Sequence, residues 1–426
     1  MRVPASFAKR EPLFRRCAIF AAVAILIGCF VQVMLKAQDG DFALHRESGR
    51  RFLAGEFIYA NGHDFPYPPF FAMLWTPTAL LPMGAAKIVF YPFAVMVLVA
   101  LVWLLQRLVT ASFSLSKAQL FWITVLALFL DLQYFIHDQA VFGLNTALVL
   151  LSWLGIYWWR QGRDLFAGIS LGAAIALKCT PAIFLGYFLW KRQWRMAICT
   201  IAAALLFTVS PVLWQGPALW TAHMENWTRT AFAGISGTGF QEHEDFRDKN
   251  MALRPVLLRY LVHLPEIGAP EDPGPLRFLD LSPSLARAIV NSILAALIVV
   301  FLWWSRRSIV ARDDPRVLWE CAALGILMVL FSPITWGQHC VALLPFCFLI
   351  SALLVTREQS PRWVMIILAV YTLFCCLAGR DLIGKRLGVA LVSYHITTFC
   401  ILSLFAIALA GPALSTGRVG PKQKDD

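Results

Sequence analysis

Long apolar runs separated by short basic connectors alternate along most of this chain, and those runs set its elements. At 1.5 Å rise per residue, a helix needs about 20 residues to cross a hydrocarbon core of ~30 Å. Runs of this kind predict helices near 17–35, 85–106, 118–136, 140–159, 165–177, 180–190, 196–214, 283–304, 317–335, 340–356, 362–378 and 387–411. Two polar stretches, 36–84 and 215–282, interrupt the series. Residues 68–82, PPFFAMLWTPTALLP, are too short and too rich in proline to cross, and predict a re-entrant or interfacial element. The runs 165–177 and 180–190 are each too short to cross straight. They predict a hairpin of half-length helices with Lys178, Cys179, Thr180 and Pro181 at its tip.

Composition confirms the solvent. The 426 residues are 59% apolar and 15% charged, with a mean hydropathy of +0.67. A soluble domain carries about a quarter charged residues, so this is an all-α polytopic membrane protein. The net charge of +12 could suit nucleic acid, but it sits in the connectors, at Arg10, Arg15, Arg16, Arg107, Lys117, Arg160, Arg163, Lys191, Arg195, Arg306, Arg312, Arg316, Arg357 and Arg362. That placement fits a cytoplasmic membrane face and excludes a nucleic-acid partner. Placing every cluster on that face gives about twelve crossings with both termini inside. A single helix over 165–190 would throw Arg195 to the wrong face. The reading is one membrane domain, 1–411, with outer loops 36–84 and 215–282 and a disordered tail, 412–426. Residues 17–35 read as a first membrane helix rather than a cleaved signal. The ten cysteines show neither C-x-x-C nor zinc spacing, so no metal site or disulfide framework is expected.

On this path the acids, histidines and amides collect on the non-cytoplasmic side, including seven of the eight histidines (45, 63, 137, 223, 243, 263 and 339). Asp39 and Asp41 form a D-x-D pair, open to a divalent ion on a diphosphate or to plain solvation. A Tyr67-Pro68-Pro69 corner, rigid because proline fixes φ, can hold a carboxylate at the bilayer surface. An aspartate partly desolvated there gains proton affinity and suits general-base work. Lys178, at membrane depth, is a phosphate seat or a snorkelling lysine. Asn250, Arg254 and Arg259 lie in NMALRPVLLRYL, an amphipathic interfacial helix whose arginines suit a lipid phosphate. Trp336, Gln338 and His339 cluster at a helix end.

These pieces, in this order, resemble glycosyltransferase family 87, a GT-C type group. The resemblance spans about residues 20–350. It rests on Asp41-Phe42 with Gly49, Leu53-Ala54-Gly55 and Tyr59; on Tyr67-Pro68-Pro69 with Pro77 and Leu80-Leu81-Pro82; on Gly168 with Lys178 and Pro181; and on Ser332-Pro333 with Trp336. It implies a GT-C-like helical bundle that transfers a sugar, mannose first, from a polyprenyl-phosphate carrier to a lipid or glycan acceptor with inversion. The site implied faces the outside of a bacterial inner membrane, needs no metal or other cofactor, and has Asp41 as base with Asp39 beside it. Lys178 and Arg259 match positions near the lipid phosphate. Three departures stand out. Asn250-Met251-Ala252 replaces Asn-Gln-Ser, Gln338 stands where a His often follows the Trp by two, and Gly143-Leu144-Asn145 is what remains of Gly-Gln-x-Asn. They leave open whether His339 or Gln338 does that work, and keep two rivals in view: a lipid-linked sugar flippase and a non-catalytic envelope-glycan assembly protein.

Overall fold

The protein is described here from a computed structural model covering residues 5–36, 40–59, 66–236, 247, 249–262, 278–357, 359–378 and 383–416. Among the described residues every regular element is helical. In chain order they are α1 (Ala5–Leu35), α2 (Gly40–Leu53), α3 (Pro69–Leu74), α4 (Thr76–Ala79), α5 (Met83–Ser112), α6 (Lys117–Leu130), α7 (Leu132–Gln139) and α8 (Leu144–Arg160). Next come α9 (Asp164–Leu177), α10 (Ala182–Trp190), α11 (Trp194–Val209), α12 (Val212–Gln215), α13 (Pro217–Ser236), α14 (Leu253–Leu261), α15 (Pro283–Trp304) and α16 (Pro315–Phe331). A 3₁₀ segment, Gly337–Leu343, leads into α17 (Leu344–Thr356); α18 (Arg362–Tyr371) ends in a π turn, Thr372–Leu377, before α19 (Lys385–Ser393) and α20 (Ile396–Thr416).

Local chemistry explains many of the boundaries. Ser116 opens α6 with a capping box, its Oγ accepting from Gln119 N while Gln119 Oε1 accepts from Ser116 N. Asp314 caps α16, with Pro315 at the first helical position. The Pro68-Pro69 pair starts α3, and the predicted re-entrant stretch 68–82 becomes two short helices, α3 and α4. The single-helix alternative over 165–190 does not occur. Lys178 adopts an extended conformation (φ −158°, ψ 129°) that ends α9. The chain then turns back, and Phe188 and Gln193 return to Trp159 beside the start of α9.

Among the described residues, six helices are long and apolar enough to cross a membrane: Glu11–Leu35, Met83–Ser112, Trp194–Gln215, Pro283–Trp304, Gly337–Thr356 and Ile396–Ser415. The α6–α7 pair, bent by 72° at Asp131, would add a seventh. The carbonyl of Leu130, released by that bend, accepts from Tyr371 Oη (3.1 Å) and Cys376 Sγ (3.3 Å). The other five predicted spans are helices too, but their length alone does not carry them across. α8 and α16 have 17 residues, α9 has 14, α18 has 10 before its π turn and α10 has 9, below the ~20 needed for ~30 Å. Three of these short helices stop at one place: Asn145 near the start of α8, Lys178 at the end of α9 and Ser332 at the end of α16 line a common cavity. Their shortness is what makes the recess.

Glycine sets the closest crossing. α9 runs beside α11 so tightly that a Cβ on Gly168 would lie 2.3 Å from Cys199 Cβ, and one on Gly172 would lie 2.7 Å from Ala203 Cβ. This is small-residue packing, used where lipid supplies no hydrophobic drive between helices. At the far end of α9 the basic connectors gather as the charge pattern requires. Arg312 pairs with Asp164 at 2.6 Å, Arg160 donates to the carbonyls of Asp313 and Asp314, and buried Lys191 meets Glu320 at 2.8 Å. Tyr187 Oη donates to the same Glu320 carboxylate at 2.6 Å. That end is 14 residues, about 21 Å, from Lys178.

Candidate active site

α2 carries Asp41 in its first turn, where the helix N-terminus favours an anion. The helix is pinned by Phe42, which is buried, stacks on Phe142 at 4.0 Å between ring centroids and meets Trp75 edge-on at 5.6 Å. The protein leaves Asp41 exposed, because the anchoring side chains Phe42 and His45 face inward and Asp41 sits at the open rim. Asp39, its expected neighbour, lies outside the described residues, as do His63, His243, His263 and the tail after 416.

Across the rim, Tyr67, two residues before α3, stacks on Phe71 of α3 at 4.1 Å. Lys178 Nζ lies 5.7 Å over the Tyr67 ring, a cation–π distance. Burial, with the charges of Asp41 and Asp138 adding to it, pushes the Tyr67 phenol up. Lys178 Nζ is 3.2 Å from His339 Nε2 and 3.5 Å from Asn145 Oδ1. Asp138 and Asp41 are the carboxylates that act on its charge. Asn145 is held in turn by Asp138, whose buried carboxylate accepts four hydrogen bonds: from Asn145 N and Nδ2 and from Thr146 N and Oγ1. Lys178, Asn145 and Asp138 thus form one polar chain from the recess into the protein.

The Trp336–His339 end is shaped by backbone. The 3₁₀ turn bonds His339 N to Trp336 O at 2.9 Å, and Trp336 N donates to His339 Nδ1 at 3.1 Å. This turn swings His339 onto Lys178, so His339 and not Gln338 meets the lysine; Gln338 is half-buried beside it. Arg247 lies 4.5 Å over the Trp336 ring.

Three further expected binding residues have contacts of their own. Asn250, 1% exposed, is a staple: its Oδ1 accepts from Thr335 N (2.8 Å) and Ala252 N (3.1 Å), and its Nδ2 donates to Pro333 O. These bonds tie its amide to the segment that carries Trp336. Arg254 and Arg259 lie on α14, Arg254 3.4 Å from Asn291 Oδ1 and Arg259 buried, and neither lines the Lys178 cavity. Amphipathicity placed them on a helix but could not say what that helix borders. Sequence reading passed over Asp138 and His45 as site residues. Asn145 was visible in the Gly143-Leu144-Asn145 remnant, and His45 could have been found one helical turn after Asp41.

Comparison with known proteins supplies the family. The profile of glycosyltransferase family 87 matches residues 65–333, more than half of the chain. A polyprenol-phosphate-mannose-dependent alpha-(1-2)-phosphatidylinositol mannoside mannosyltransferase of Mycobacterium tuberculosis is 27% identical over 360 residues, covering 77% of this chain and 74% of that protein. The protein of the same description from Mycolicibacterium smegmatis is 27% identical over 345 residues, 75% of this chain and 71% of that one. Among solved structures, ArnT from Cupriavidus metallidurans in the apo state aligns over 96% of this chain and 78% of its own, at 14% identity and a TM-score of 0.43. A rim carboxylate, a lysine–histidine pair in a membrane recess and a profile match across most of the helical core lead to one assignment: the chain belongs to glycosyltransferase family 87.

Proposed function

We propose that the protein transfers a mannosyl unit from a polyprenyl-phosphate carrier to a lipid or glycan acceptor, with inversion, at the non-cytoplasmic face of a bacterial inner membrane. The observation that carries this reading is the Lys178–His339 pair. In the tautomer in which His339 Nδ1 accepts from Trp336 N, the ring proton sits on Nε2. Nε2–H and the Lys178 ammonium are then two donors facing each other at 3.2 Å. An anion between them satisfies both, and a phosphate monoester is such an anion. The relatives' dependence on polyprenol-phosphate-mannose supports the choice of donor.

In the reaction the acceptor hydroxyl hydrogen-bonds Asp41. Its oxygen attacks the anomeric carbon, the proton passes to Asp41, and the bond from that carbon to the phosphate oxygen breaks with its electron pair leaving on the phosphate. The sugar passes through an oxocarbenium-like state. Negative charge on the leaving phosphate grows as the bond breaks, so preplaced donors at Lys178 and His339 stabilise the transition state more than the ground state. A monophosphate leaving group held this way calls for no metal, and chelation by EDTA should leave the rate unchanged. The same reading takes residues 1–411 as one domain with about twelve crossings, the five shorter helices completing them around the recess.

The test is release of polyprenyl phosphate by purified protein in detergent, scored across a panel of polyprenyl-phosphate sugars. Release from the mannose donor, lost in Asp41→Asn by roughly 10²–10⁴-fold while donor binding persists, is the expected result. Near-wild-type turnover in that variant would sink the assignment.

A further inference from the structure

Inversion places the attacking oxygen and the leaving oxygen on opposite faces of the sugar. The transferred hexose therefore lies between the base and the phosphate seat, and the side chains between Asp41 and the Lys178–His339 pair border it. Two described side chains answer to both ends. Tyr67 carries Lys178 over its ring and is acted on by the charge of Asp41. His45 stands one turn after Asp41 on α2, on the inward side with Phe42, and its side chain leans back toward the turn that carries Asp41. The charge of Lys178 acts on His45 as well, and the two share Tyr67 as a neighbour.

His45 is 3% exposed, and its ring sits among Tyr67 (5.3 Å between centroids), Phe71 (4.8 Å) and Trp75 (4.8 Å). Nδ1 is buried and takes no hydrogen bond. Burial, with the Lys178 charge beside it, lowers this imidazole to about 3, so the ring is neutral at physiological pH and offers one donor and one acceptor. An apolar ring of the same size would fill the aromatic box without leaving a buried nitrogen unsatisfied. Native proteins pair nearly all such groups, and an exception calls for a reason.

We infer that His45 is a specificity-determining residue of the sugar subsite, its ring nitrogen hydrogen-bonding one hydroxyl of the transferred hexose between Asp41 and Lys178. This rests on the reaction proposed above. His45 does no proton transfer in that reaction; it selects which sugar is held in line.

The experiment measures kcat/KM for carrier release from polyprenyl-phosphate-mannose and from its 2-, 3-, 4- and 6-deoxy analogues, in the wild type and in His45→Phe. Phenylalanine keeps the aromatic box and removes the nitrogens. In the wild type one analogue should lose roughly tenfold or more relative to mannose, the worth of one hydrogen bond. In His45→Phe that analogue and mannose should fall within about twofold of each other. Should the phenylalanine variant not fold, His45→Leu carries the same comparison. A variant that keeps the wild-type ranking of all five donors overturns the inference and leaves the reaction standing. A wild type that releases carrier from no donor overturns the reaction, and the inference with it.

Discussion

His339 meets Lys178 only because Trp336 folds it back, and this has consequences that can be measured. Replacing Lys178 with Gln removes one of the two donors to the departing phosphate; kcat should fall by about 10²–10³-fold, with a smaller change in KM. Asp138 acts at one remove. Truncation to Ala strands Asn145 and Thr146, four donors at the start of α8, and should cost about 2 kcal/mol or more in a denaturation measurement as well as slowing turnover. His223 makes a different prediction. Its Nε2 accepts from Ile58 N at 3.1 Å, fixing α13 to the segment after α2, and burial lowers the imidazole to about 4. The unfolded chain, with its histidines near 6.5, binds more protons than the folded one between these values. Stability from His223 is therefore fully present above about 6.5 and lost as pH falls toward 4, and His45 adds to the loss in the same direction. Thermal melting followed from pH 7.5 to 4.5 should show it, and His223→Gln should flatten the slope. An unchanged slope would exclude His223 as its source.

Between helices, the α9–α11 crossing decides where Lys178 stands. Gly168 touches Cys199 through backbone as well as side-chain atoms, so even one methyl group forces the helices apart: Gly168→Ala should lower the melting temperature by several degrees and displace the recess. Gly186 in α10 has open space where a Cβ would go, and Gly186→Ala should be neutral or stabilising by up to about 1 kcal/mol. The contrast matters because both are glycines within apolar helices and look alike in the chain. The bend at Asp131 belongs to the same scale. Hydropathy reads 118–136 as one continuous run, yet the backbone turns by 72°, and the cost is met by Tyr371 and Cys376 from the α18 end, more than 240 residues away in the chain.

At the scale of the molecule, the bundle separates its two kinds of charge along the length of α9: interlocked basic connectors at one end, and Asp41, Lys178 and His339 at the other. The orientation proposed for it predicts that reporters inserted in the 215–282 loop are active outside the cytoplasm and that reporters fused after residue 416 are active inside. The reverse pattern would move the site to the cytoplasmic face and exclude a donor held on the outer leaflet. The predicted spans all fell on helices, because an apolar run in lipid has no other way to satisfy its backbone. Their lengths did not all follow, since a helix that ends at a buried recess need not reach the far surface of the membrane.

The amino-acid sequence by itself determined the solvent, the helical class and the grouping of the basic connectors, since each follows from local composition or spacing, and it singled out Asp41 and Lys178 as candidates. Tertiary structure alone decided which groups meet. Asn250 came to tie Thr335, Ala252 and Pro333 together, Arg254 and Arg259 came to lie on α14, and His45 came to pack on Tyr67, over whose ring Lys178 lies. Those outcomes depend on a 3₁₀ turn, a glycine crossing and helices that stop short, all of which bring together residues far apart in the chain, and no periodicity read along one segment reports on them.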